Sequence, residues 1–220
     1  MTRRLLALGT LLALGAGVAS CTVGDGAGTV TSAKLRVDGC YEGRFDLAPT
    51  FFASSPYRGQ QFIRLQRRND LIENSDGVEI LVADTVQVRN RLGTPLKVGL
   101  PAAVTPPGVP ITPDKDPPLV QLTLYLHESC HGENIALHGV AAPAGGAGPE
   151  SRITFIHLFD GDPTESDADQ KLIEGSFEVW VGDPRDEPPG GGPIPKEKLS
   201  LLTGSFRFFF ERGQPAQPFP

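Results

Sequence analysis

The sequence predicts an all-β fold: an antiparallel β-sandwich of about eight or nine strands, with a β-barrel as the alternative closure. Three observations carry that expectation. Stretch after stretch alternates apolar and polar residues with period two, the pattern of a half-buried strand. The chain holds 26 Gly and 21 Pro among 220 residues, a density of breakers that favours short strands joined by turns over long helices. No stretch shows the apolar spacing of an amphipathic helix, and no repeat of fixed period runs through the chain.

A single domain is expected over residues 34–212. Leu35 and Val37 alternate with Lys34, Arg36 and Asp38 to open it. Residues 61–66 form a short strand, and Asn74-Ser75-Asp76-Gly77 after it supplies turn chemistry. Over residues 78–88, Val78, Ile80, Val82, Val86 and Val88 share one face, and Asp84 falls on it as well. A carboxylate in an apolar row costs desolvation unless it is partnered. A β-bulge that turns Asp84 outward is therefore expected, with a buried functional acid as the other reading.

Seven prolines in residues 101–118 leave few donors for a ladder, so that segment is predicted as an extended surface loop. Residues 119–126 give the clearest strand: Val120, Leu122, Leu124 and Leu126 face one way, Gln121, Thr123 and Tyr125 the other. Residues 135–140 read as its hairpin partner, and 152–159, apolar on both faces, as a central strand. Residues 171–181 and 199–210 complete the set, with Phe206, Phe208 and Phe210 on one face. Residues 145–150 and 182–198 are loops, and 213–220 is a proline-punctuated tail.

The start of the chain is of another kind. Arg3 and Arg4 precede an apolar run over residues 5–18, and the run ends at Val18-Ala19-Ser20-Cys21. That is the layout of a secretory signal, and it is too short for a spanning helix, which needs about 20 apolar residues. Small residues directly before a cysteine resemble the lipobox of bacterial lipoproteins. The resemblance covers residues 1–21 alone. It implies that residues 1–20 are a signal peptide, and that Cys21 is acylated with palmitate-type chains as the mature N-terminus. It also implies that the protein sits lipid-anchored in the cell envelope. Thr22 stands where an Asp is associated with inner-membrane retention, so the resemblance implies the outer membrane. Residues 21–33, rich in Gly, Thr and Ala, are expected to be a flexible tether to the membrane. Gly24, Gly26 and Gly28 open no helix and so do not read as a phosphate loop.

Removal of the signal takes Arg3 and Arg4 with it and moves the formal charge from −6 to −8. Such a balance argues against nucleic acid and anionic headgroups as partners. With Cys21 assigned to lipid, Cys40 and Cys130 remain, an even pair in an oxidising compartment. A disulfide between them is expected, with two buried thiols as the alternative.

Two stretches suggest chemistry. His127-Glu128-Ser129-Cys130-His131 matches the H-E-x-x-H pattern of zinc hydrolases, in which a helix brings both imidazoles to one ion and the glutamate acts as general base. Here the five residues follow a period-two strand, and four residues of extended chain span about 13 Å. A polar hairpin turn is the expectation, with a zinc hydrolase as the alternative. All four histidines lie between residues 127 and 157, and a suitable register would let His138 and His157 approach across a sheet. The second stretch carries Asp160, Asp162, Glu165, Asp167 and Asp169 within ten residues. Such a loop could wrap calcium, which takes six to eight oxygens, or serve as a solvated acidic loop. Nucleophile signatures are absent. The expected role is a non-catalytic binding or structural module with an envelope protein or glycan as partner, and a calcium-assisted glycan-binding sandwich is the alternative.

Overall fold

The computed structural model describes residues 22–68, 74–99, 117–131, 133, 135–143, 148–162, 164–165 and 170–210. In chain order the elements are β1 (Thr22–Val37), β2 (Tyr41–Leu47), β3 (Phe51–Tyr57), β4 (Gln60–Gln66), β5 (Asp76–Val82), α1 (Thr85–Arg89), β6 (Leu96–Lys97), β7 (Val120–Leu126), β8 (Ala136–Val140), β9 (Arg152–Leu158), β10 (Leu172–Gly182) and β11 (Ser200–Phe210). The fold is all-β, as predicted, and among the described residues its eleven strands join in one hydrogen-bonded sheet.

Two long strands shape that sheet into layers. Along one edge, β1 pairs with β3 at Thr22–Gly24 and with β2 from Val30 onward, while its other edge pairs with β11. Likewise β10 pairs with β9 over Ile173–Glu178 and with β8 over Trp180–Gly182, and its other edge also pairs with β11. The first layer is therefore β2-β1-β11-β10-β9-β6, and the second is β3-β4-β5-β7-β8. Because β1 and β10 serve both layers, a circuit β11-β1-β3-β4-β5-β7-β8-β10 closes back on β11. Sandwich and barrel thus describe the same molecule, two layers whose corners are made by strands that switch sheets. The inward faces of both layers form one core that contains Phe45, Phe52, Phe155 and Phe208 with Ile80, Leu122 and Leu124.

The predicted strands recur, most of them with small shifts in their ends, and three more appear: β2, β3 and the two-residue β6. The predicted tether is corrected: from Thr22 its residues are strand β1. Gly26 lies opposite Phe208, and a Cβ there would stand 2.2 Å from the Arg207 carbonyl oxygen and 2.4 Å from Phe208 Cβ. Glycine in this segment serves close approach of β11 rather than flexibility.

The second correction is at residues 78–88. The strand ends at Val82, and Asp84 caps the short helix α1, its Oδ1 accepting from the Gln87 backbone N–H at 2.9 Å. Gln87 Nε2 also donates to Asp84 Oδ2 at 2.8 Å. Asp followed three residues later by Gln is a helix-start signal, and here it outweighs the valine alternation. Hydrogen bonding lowers the Asp84 carboxyl below its ordinary range, the Gln87 backbone N–H contributing most. The signal stretch with Cys21, most of the proline-rich loop and the tail lie outside the described residues.

Candidate functional site

The H-E-x-x-H residues form the turn between β7 and β8. Cys130 N donates to the Leu126 carbonyl at 3.0 Å, a single turn not continued as a helix. His127 stacks on Tyr125 with ring centroids 5.7 Å apart, and His131 is exposed. Glu128 is engaged by Arg68 at 2.8 Å and faces Arg67 at 3.8 Å. The acceptor that organises the turn is Asp76, fully buried at the start of β5. Its Oδ1 accepts from the backbone N–H groups of Glu128 and Ser129, both at 3.0 Å, and its Oδ2 accepts from Ser129 Oγ at 2.5 Å. Cys130 is bonded to Cys40, with Cα atoms 5.5 Å apart. The motif is thus a braced hairpin tip.

In the acidic stretch two carboxylates meet an arginine. Arg89 at the end of α1 donates to Asp160 Oδ1 at 2.7 Å and also pairs with Glu165. Asp162 closes a local turn, accepting from Thr164 N at 2.8 Å and Thr164 Oγ1 at 2.7 Å. Asp167 and Asp169 lie outside the described residues. Asp160 and Glu165 thus share Arg89, while Asp162 turns to Thr164. The two histidines stay apart: His138 is opposite Gly182 and His157 opposite Glu174 on the same edge of β10, which is about 26 Å of strand. Among the described residues no group of three or more His, Cys, Asp or Glu side chains could hold a metal ion.

A constellation that sequence reasoning missed lies on the outward face of the second layer. The registers place Arg64 beside Glu79, Glu79 beside Thr123, and Thr123 beside His138, a polar row across β4, β5, β7 and β8. Thr123 Oγ1 and His138 Nδ1 are 3.2 Å apart. Arg64 is only 3% exposed. Burial raises the Glu79 carboxyl, with the Arg64 charge opposing it, and burial together with the Glu79 charge pushes Tyr125 up to about 12. His138 is lowered by burial, against the pull of Asp183. A signal was available in the single basic residue of the 61–66 strand, but its opposite number depends on register, which one strand does not reveal.

The outward face of the first layer carries a groove of about 730 Å³ where β1, β10 and β11 run side by side. Thr31 and Thr203 face each other there, their hydroxyls 3.0 Å apart. Trp180 borders the groove, its indole N–H bonded to the Pro149 carbonyl at 3.0 Å. The β1–β2 register shifts between Ser32 and Leu35, a bulge that puts Ser32, Ala33 and Lys34 along the groove. Bulges re-aim side chains at functional sites. Ser32 is 3% exposed, and its register opposite Phe45 puts its side chain on the core face. Arg44 from β2 also lines it. Comparison with known proteins finds no matching family model, no similar characterised protein and no similar solved structure.

Proposed function

We propose that the protein is a lipid-anchored module of the bacterial cell envelope, attached through Cys21 to the outer membrane, that binds a ligand without transforming it. The groove on the first layer is its ligand-facing surface. The observation that carries the reading is that groove, where a tryptophan and paired hydroxyls meet beside a bulge. Small-ligand sites have volumes of about 300–1,000 Å³ and combine apolar walls with a few placed polar groups. Carboxylates of the catalytic-looking stretches have partners within the chain: Glu128 pairs with Arg68, and Asp160 and Glu165 hold Arg89.

Export is supported by the signal layout of residues 1–21 and by the Cys40–Cys130 bond, since such bonds persist in oxidising compartments. Cells fed radiolabelled palmitate test the anchor. The wild-type chain should take up label and sediment with membranes, and Cys21→Ser should do neither. A labelled Cys21→Ser chain, or an unlabelled wild type, removes the anchor.

A further inference from the structure

We infer that the groove on the first layer takes an uncharged oligosaccharide, with Trp180 as its stacking platform. The inference deepens the binding role proposed above and rests on it. Two features select that chemistry. An indole offers a broad π face to the C–H groups of a sugar ring, and the Nε1–H of Trp180 is already bonded to Pro149. The ring therefore contributes its surface, not its donor. Hydroxyls of Thr31 and Thr203 stand within reach along the sheet, and each can rotate to donate or accept.

Charge decides between an ionic and a neutral ligand. Lys34 lies 4.0 Å from Glu42, and Arg44 lies 3.9 Å from Asp46. Each cation at the groove thus has a carboxylate beside it, so no field of one sign selects an anion or a cation. A ligand that bonds through many hydroxyls suits such a surface, and an acidic peptide or a phosphate does not. A volume of about 730 Å³ holds a short oligosaccharide rather than a single ion.

Trp180 is the only tryptophan of the chain, so its fluorescence reports on the groove directly. The purified full chain, held in a non-glycosidic detergent, is titrated with chitotetraose, cellotetraose and maltotetraose, and the variants are followed by calorimetry. Saturable change with at least one tetrasaccharide is expected. Thr203→Val should weaken that binding roughly fivefold and Trp180→Ala at least about tenfold, with circular dichroism unchanged. No saturable response to any of the three at millimolar concentration overturns the carbohydrate assignment. So does binding that both variants retain, or a response to a proline-rich peptide alone. Those failures leave the anchored-module reading in place, because it falls on the palmitate label at Cys21 and not on the sugar.

Discussion

Asp76 shows how much one buried acceptor can hold in place. Its carboxylate receives three hydrogen bonds from Glu128 and Ser129, and Arg67 stands 3.8 Å away as a counter-charge. Asp76→Ala strands those three donors. The expected loss is about 2–4 kcal/mol, the range for breaking buried charge-assisted bonds, read from the urea midpoint; an unchanged midpoint sinks this account. His138 gives the acid response. Burial lowers its pKa below the ordinary 6.5, so the unfolded chain binds the proton more readily. Its contribution is full above 6.5 and is lost as the pH falls through the folded value. Glu79, raised above 4.5 by burial, has the opposite slope: its contribution is full below 4.5 and is lost as the pH rises. Comparing wild type with His138→Gln separates the two. The variant should lose less stability between neutral and mildly acidic buffer, and equal losses would refute the assignment. At this scale the sequence was legible in kind only. The 74–77 cluster read as a turn, yet Asp76 opens β5, and its partners lie 52 and 53 positions further on.

At the scale of elements, alternation located the strands with strong two-sided patterns and missed those whose partners supply the order. In β7 the alternating sides were read correctly because one face is deep in the core and the other is not. In β1 composition pointed to a tether, because small residues carry no alternation of their own. Its order comes from β11, which sets Phe206 and Phe208 opposite Gly28 and Gly26. A glycine faced by a cross-strand aromatic is covered rather than loose. Gly26→Val tests this. Its Cβ would meet the β11 backbone at 2.2 Å, so the strands must part. A loss of about 1–3 kcal/mol is expected, with faster amide exchange confined to β1 and β11. A substitution without cost would mean that the segment is a tether after all. The proposed ligand groove was invisible for the same reason: Thr31, Trp180 and Thr203 come from three strands, and only their registers bring them together.

For the whole molecule, the layers were legible from the period-two faces, but the closure was not, since it depends on where β1 and β10 change partners. At one end of the sandwich a covalent clip joins the two layers. Cys40 sits in the turn after β1, in the first layer, and Cys130 in the turn after β7, in the second. The bond therefore ties layer to layer at the turn that Asp76 also braces. Its 90-residue separation makes the unfolded chain the state most affected. On the chain-entropy model a loop of that length contributes about 4–5 kcal/mol, a large share of the 5–15 kcal/mol typical of a domain. Reduction, or Cys40→Ser with Cys130→Ser, should lower the unfolding free energy by an amount of that order, read from denaturant titration. If the effect is entropic, the folding rate should fall while the unfolding rate changes little, because the constraint acts on the unfolded ensemble. A rise confined to the unfolding rate would place the contribution in the native contacts around Asp76 instead. Combining the reduced form with Asp76→Ala separates the two cases. Additive losses mean that the clip and the buried carboxylate act independently, and a combined loss below the sum means that both hold the same turn.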